Sequence, residues 1–147
     1  LGDVYKRQII IDTQPTRDSL LLTNAISAAD YILIPMMCDA NSRGSAFRTF
    51  ALCNELCNAP GSRIKGVGVL LTAVNKKAKA ARLIRTQCQD VLGPALFEHE
   101  IPNSISVGMS VTNYQPVCFY AAKQPVSIAY QQVYKELMKR LAKLEVK

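Results

Sequence analysis

Residues 9–35 read IIIDTQPTRDSLLLTNAISAADYILIP, and the fold follows from how this stretch is parsed. Ile9, Ile10 and Ile11 form a β-branched run that stops at Asp12, the pattern of a buried strand ending in a loop. Asp18 or Ser19 is placed to cap residues 20–29, whose Leu, Ala and Ile content suits a helix. Residues 31–35 are a second apolar run, which Pro35 is expected to close. Strand, helix and strand in that order require a crossover connection and hence parallel pairing.

The same alternation continues downstream. Ser42 offers an N-cap for a helix to about Asn58, with Ala46, Phe47, Phe50, Cys53 and Cys57 as its apolar stripe and Pro60-Gly61 as its stop. Residues 66–72 (GVGVLLT) read as a third strand. A basic helix over about 77–91 follows and ends at Gly93-Pro94. Residues 97–101 form a shorter extended piece that runs into Pro102-Asn103. A last helix over about 127–144 places Tyr130, Val133, Tyr134, Leu137, Leu141 and Leu144 on one face. The expected class is α/β, a largely parallel sheet with helices on both faces and right-handed crossovers. Ligands of such sheets bind beyond the carboxyl ends of the strands. That directs attention to residues 12–16, 36–41, 72–76 and 102–106.

Composition bounds the function. A chain of 147 residues with 49% hydrophobic content forms one domain with a real core. No apolar run approaches the roughly 18–20 residues needed to span a bilayer, and the first eight residues lack the charged and apolar regions of a secretory signal. Five cysteines, Cys38, Cys53, Cys57, Cys88 and Cys118, are scattered, which suits reduced thiols in a cytoplasmic protein. The net charge of +7 is unevenly spread. Arg63, Lys65, Lys76, Lys77, Lys79, Arg82 and Arg85 fall in a stretch without an acid, which is either a solvated surface or a face for a polyanion such as DNA.

Asp12 is the sharpest single residue. A carboxylate at the mouth of a parallel sheet can hold a water of a Mg²⁺ ion, which prefers oxygen ligands and keeps several waters. Many strands also end in Asp simply to start a turn. The residues around it carry more. Asp12, Thr13, Pro15, Leu22, Thr23, Asn24, Ala25, Ala28, Ala29, Asp30 and Pro35 follow the order of strand, Asp-Thr-Pro-Pro, Leu-Thr-x-Asn-Ala, Ala-Ala-Asp and Ile-Pro that marks ParA/MinD-type partition ATPases, P-loop proteins of the SIMIBI class. Residues 66–72 resemble the GVLLT strand of that family, and residues 97–117 its stretch beside the adenine. The resemblance covers residues 9 to about 144.

The resemblance implies a plasmid or chromosome segregation ATPase. It would use ATP and Mg²⁺, dimerise with ATP, bind DNA without sequence preference and respond to a ParB-like partner bound to DNA. It would act in the bacterial cytoplasm, on the nucleoid. Asp12 would hold Mg²⁺ through water as the Walker B acid, and Thr13, Pro15 and Thr16 would form the γ-phosphate switch. Thr72, Pro102 and Asn103 would border the adenine, and Lys76, Lys77, Lys79, Arg82 and Arg85 would meet DNA phosphates. Three departures stand out. Gln14-Pro15 replaces Pro-Pro, Gly108-Met109 replaces an expected Glu-Ala, and no Gly-rich loop with a lysine occurs in the sequence. Asp3 to Gln8 resembles the in-frame translation of a transposase adapter used in sequencing libraries. Residues 1–8 are accordingly expected to be foreign, and residues 9–147 the C-terminal part of a ParA-like domain that is inactive alone.

Three other readings compete. The amphipathic last helix could lie on a membrane as in the MinD branch, or pack on the sheet. A non-catalytic DNA-binding or adaptor protein could use the same scaffold. Cys53 and Cys57, one helical turn apart, could ligate a metal, but their place on the apolar stripe assigns them to packing. His99, the single histidine, has no evident catalytic companion.

Overall fold

Two apolar runs build the sheet. Tyr31–Met37 (β1) and Gly66–Thr72 (β2) pair in parallel, Tyr31 opposite Gly66 and Met37 opposite Thr72. The computed structural model describes residues 9–14 and 20–145 of the chain. The adapter-like tract, the Asp18 or Ser19 cap, Pro15 and Thr16 lie outside the described residues. A third extended lane, residues 96–103, runs along the other side of β2. Its parallel bridges join Leu96 to Val69 and Pro102 to Val74. The Phe97 N–H donates to Val69 O (2.9 Å), the Ile101 N–H to Leu71 O (2.9 Å) and the Asn103 N–H to Val74 O (3.0 Å). β2 is therefore the central element, satisfied on both edges.

Side-chain alternation divides the sheet into two faces. Ile32, Ile34 and Met36 of β1 share a face with Val67, Val69 and Leu71 of β2. This face is covered by helices Leu20–Ala28 (α1), Ala40–Cys57 (α2) and Lys79–Leu92 (α3), which contribute Ile26, Ala46, Cys53, Ala81, Ile84, Cys88 and Leu92. The opposite face gathers Leu70, Phe97 and Ile101 under Val126, Ala129 and Val133 of the last helix. Helices thus flank the parallel sheet on both sides, as the alternation of elements requires.

Several boundaries differ from expectation. Ile9, Ile10 and Ile11 are not a buried strand. They are 85%, 92% and 49% exposed, without regular structure, because no strand among the described residues lies beside them to complete a ladder. Pro35 does not close β1, which continues to Met37. On an edge strand the missing proline N–H falls on the open side and breaks no bond. α2 is capped by Asp39 rather than Ser42. The Asp39 carboxylate accepts from the Ser42 N–H (2.7 Å) and hydroxyl (2.8 Å), and these bonds hold it below the usual carboxylate range. α3 starts at Lys79, leaving Lys77 in the preceding turn, and ends where Gly93 takes φ 51.

Two short helices, Ile105–Thr112 (α4) and Val117–Tyr120 (α5), occupy a stretch that sequence periodicity left unassigned. The final helix, Pro125–Glu145 (α6), begins two residues early, with its proline in the first turn where no N–H is missed. Its buried stripe is Val126, Ala129 and Val133, whereas Tyr130 and Tyr134 face solvent. The buried Ser127 hydroxyl hydrogen-bonds at the carbonyls of Val117 (2.9 Å) and Ala121 (2.8 Å), fastening α5 to α6.

Polar contacts lock α6 to the third lane. Glu136 accepts from the backbone N–H groups of Glu98 (2.9 Å) and His99 (3.0 Å), from the His99 ring (Nδ1, 2.8 Å) and from Arg140 Nε (3.0 Å). Arg140 donates onward to the carbonyls of Pro94 (2.8 Å) and Leu96 (2.7 Å), with its guanidinium 4.2 Å from the Phe97 ring centroid. Burial alone would raise the Glu136 pKa, but these donors outweigh it and hold the carboxyl below the usual range.

Two predictions follow from this packing. A Cβ at Gly68 would collide with the Tyr31 hydroxyl and come within 2.6 Å of Phe97 Cε2. Gly68→Ala is therefore expected to cost about 1–3 kcal/mol, read as a lower urea midpoint at unchanged m-value. Because the folded pKa of Glu136 is depressed, its stabilisation is present above the unfolded carboxyl pKa and fades as pH falls through the folded value. Glu136→Gln should cost about 2 kcal/mol at neutral pH and less as acid is added. A stability difference from wild type that stays constant from neutral pH down into the acid range would contradict this assignment.

Candidate nucleotide and nucleic-acid site

The carboxyl ends of the strands form one row. The Cys38 N–H, just beyond β1, donates to Thr72 O at the end of β2 (3.0 Å). The Val74 N–H donates to Ile101 O (3.0 Å), and the Asn103 N–H returns to Val74 O (3.0 Å). Thr72 is consequently held near the Pro102-Asn103 turn, with Pro102 bridged to Val74. Of the residues expected to border a purine, the structure brings Thr72, Pro102 and Asn103 to the same end of the sheet. Asp12 and Thr13 lie on the exposed segment 9–14, outside any strand, and Pro15 is outside the described residues.

Sequence reasoning missed the backbone of this row. Ala73 has φ 52, a left-handed conformation that is uncommon for a residue with a Cβ. It turns the chain between Thr72, which serves β1, and Val74, which serves the third lane. Strain of this kind often accumulates at functional sites. No side-chain pattern marks it, since alanine carries no turn signal of its own.

Beside the row opens a cleft of about 600 Å³, lined by Lys76, Arg85, Glu98, His99, Glu100 and Pro102 on one side and by Pro125, Ile128, Ala129 and Gln132 of α6 on the other. The prolines and Ile128 give it flat apolar walls, and the charged groups give it polar edges. Arg85 donates to Glu100 Oε2 (2.6 Å) and to Glu98 O (3.0 Å), and Lys76 Nζ lies 3.6 Å from Glu100 Oε1. Glu100 is the most enclosed partner, its side chain 13% exposed. His99, given no role from sequence, is engaged by Glu136 and thus serves the third lane.

The basic stretch divides in two. Lys77, Lys79 and Arg82 are exposed, and no ion pair joins them to an acid among the described residues. Lys76 and Arg85 are held by Glu100. Among the described residues no three His, Cys, Asp or Glu side chains converge on a metal-sized site. Burial pushes the Cys53 thiol up, and Cys57 Sγ donates to Ile64 O (3.2 Å), so this pair packs the core of α2. No described helix is long and apolar enough to cross a membrane.

No family model matches the chain. Curated relatives do. The chromosome partitioning protein ParA of Myxococcus xanthus is 26% identical over 132 residues, which is 90% of this chain and 46% of the relative. ParA of Caulobacter vibrioides is 22% identical over 132 residues, 90% of this chain and 49% of the relative. The chromosome-partitioning ATPase Soj of Thermus thermophilus is 21% identical over 133 residues, 90% of this chain and 53% of the relative. The chain spans about half the length of the curated relatives it matches. It is distantly similar, over nearly all of its own length, to chromosome-partitioning ParA and Soj proteins.

Proposed function

We propose that the chain is the C-terminal part of a ParA-type partition ATPase that couples ATP binding to dimerisation and to non-specific DNA binding. One observation carries this reading: similarity to partition proteins runs through 90% of the chain, and the same chain gathers Thr72, Pro102 and Asn103 at the carboxyl end of a parallel sheet. That end is where α/β sheets bind ligands.

In this reading residues 72–74 and the Pro102-Asn103 turn border the purine. Their backbone groups read its edge while apolar neighbours cover its faces. Asp12 offers a single hard oxygen donor, which fits a Mg²⁺ ion that keeps most of its waters and takes its remaining ligands from phosphate. When bound, the ion would neutralise charge on the transferring phosphoryl group. Thr13, Pro15 and Thr16 would sense the γ-phosphate, and a ParB-like protein on DNA would read the nucleotide state. In this reading the P-loop lysine is supplied outside residues 1–147, and the chain by itself would not hydrolyse ATP.

DNA binding is assigned to the exposed Lys77, in the turn before α3, and to Lys79 and Arg82 in its first turns. Such contacts position a duplex through its phosphates and carry little sequence information. The membrane alternative is disfavoured because the first half of α6 packs on the sheet and Leu137 is partly buried against it. Val126, Ala129 and Val133 are buried on the sheet face rather than free to enter a lipid surface. In this reading the protein acts in the bacterial cytoplasm, on the nucleoid.

Two measurements on the intact ATP-binding protein test the reading. Asp12→Ala should lower ATP turnover on the order of a hundredfold or more, the scale of losing several kcal/mol of metal-assisted stabilisation. Undiminished turnover would remove Asp12 from the site. Reversing the charge of Lys77, Lys79 and Arg82 together should weaken retention on non-specific duplex DNA. It should also flatten the log–log salt dependence by about 3, near 0.9 for each phosphate contact. Retention indifferent to these charges would place the DNA face elsewhere.

A further inference from the structure

Lys79, Arg82 and Arg85 are spaced three residues apart and form one stripe winding around α3, with Lys76 just ahead of it. A polyanion lying along that stripe and the turn before it would meet five cations, Lys77 included. The structure withholds two of them. Glu100 faces Arg85 at 2.6 Å and Lys76 at 3.6 Å, and its side chain is only 13% exposed, compared with 39% for Arg85 and 69% for Lys76. The carboxylate sits on the third lane, two residues before Pro102, where backbone bonds to β2 fix its position. It cannot follow the cations outward. Lys76 and Arg85 have long stems that could swing to a phosphate, but each would have to leave Glu100 to do so.

We propose that Glu100 is an internal competitor for the nucleic-acid face, holding Arg85 and Lys76 in the cleft and restricting phosphate contacts to Lys77, Lys79 and Arg82. This rests on the reading of α3 as a DNA-binding helix. The enclosed carboxylate and a DNA phosphate compete for the same guanidinium: Arg85 Nη1 donates to Glu100 and Nη2 to the Glu98 carbonyl, so a phosphate takes either donor only by displacing these acceptors. Glu100 is thereby a residue that sets DNA affinity without touching DNA. It weakens the face by subtracting cations from it, and it keeps the salt dependence shallower than the number of basic residues implies.

The test uses the intact protein with ATP and Mg²⁺, titrated with a non-specific DNA duplex across a salt series. Five forms are compared: wild type, Glu100→Gln, Arg85→Ala, the double variant, and Glu98→Gln as a neighbouring acid whose carboxylate pairs with neither cation. Releasing the two cations should tighten binding roughly three- to tenfold and steepen the log–log slope by about 1–2. Arg85→Ala alone should leave affinity unchanged, since Arg85 is already occupied, and should cancel most of the gain when combined with Glu100→Gln. Glu98→Gln should give a smaller gain with no change of slope.

Four results overturn the proposal: no gain in Glu100→Gln, the same gain in Glu98→Gln, weaker binding in Arg85→Ala alone, or a gain on anionic phospholipid vesicles but not on DNA. Arg85→Ala truncates a partly exposed side chain of α3 and keeps the helix, so it remains informative should Glu100→Gln fold poorly. The Lys77, Lys79 and Arg82 charge reversal separates the two levels of the argument. If it abolishes retention while Glu100→Gln changes nothing, the DNA face stands and the competitor does not. If it has no effect, the DNA face itself is lost.

Discussion

The third lane of the sheet depends on Glu136. Residues 96–103 form no long strand of their own; they are attached to β2 by backbone bonds near Phe97 and near Ile101 to Asn103. Between these points the chain passes through Glu98 and His99, whose N–H groups point to α6 and not to the sheet. Glu136 accepts both, and Arg140 holds Glu136 while capping the carbonyls of Pro94 and Leu96. One carboxylate and one guanidinium thus satisfy backbone groups that would otherwise be left without partners where the lane meets α6, each a costly omission. The positions of Glu100, Pro102 and Asn103 follow from that clamp.

The clamp also explains why the two faces of the sheet carry different chemistry. The face under α2 and α3 is closed mainly by apolar packing, with Met36, Val69, Leu71, Cys53 and Cys88 all almost fully buried and an Arg43–Gln87 hydrogen bond joining the two helices. The face under α6 is smaller, with Phe97 and Val126 at its centre, and is finished at its rim by charge. Tyr31 and Phe97 close over Gly68, so a missing side chain on β2 makes room for two aromatic rings. α6 reaches β2 and the third lane but not the outer half of β1, where Leu33 is 37% and Met37 56% exposed. Leu33 and Met37 thus leave apolar side chains exposed on the edge strand.

Much of this was legible in the sequence. The Gly66–Thr72 strand was readable to the residue, because a β-branched apolar run between a basic loop and a turn leaves little freedom. The stripe of α2 and the end of α3 at Gly93 were readable for similar local reasons. What failed was governed by partners. The Ile9 to Ile11 run has strand propensity, yet propensity without a neighbouring strand gives no ladder. Asp39 caps α2 in place of the expected Ser42 because its carboxylate accepts both Ser42 donors. On α6 two tyrosines matched the helical period but are amphipathic enough to remain at the surface, while the small Ala129 took the close contact.

The gathering of the loop residues at one end of the sheet was legible in outline, for a topological reason. In a parallel sheet the residues after each strand must converge on one end, so Thr72, Pro102 and Asn103 could be grouped before any distance was known. Their connection through Ala73 and Val74 could not, because it is made by backbone groups that every residue possesses. The basic stretch was misleading in a more specific way. Seven cations without an acid in the local sequence look like an uninterrupted positive surface, yet Asp30 pairs with Lys65, and the acid that holds Lys76 and Arg85 comes from fifteen residues beyond Arg85. Local charge counts treat a helix as if it faced only solvent. Here the third lane brings Glu100 back against α3, and the surface potential is set by tertiary pairing as much as by composition.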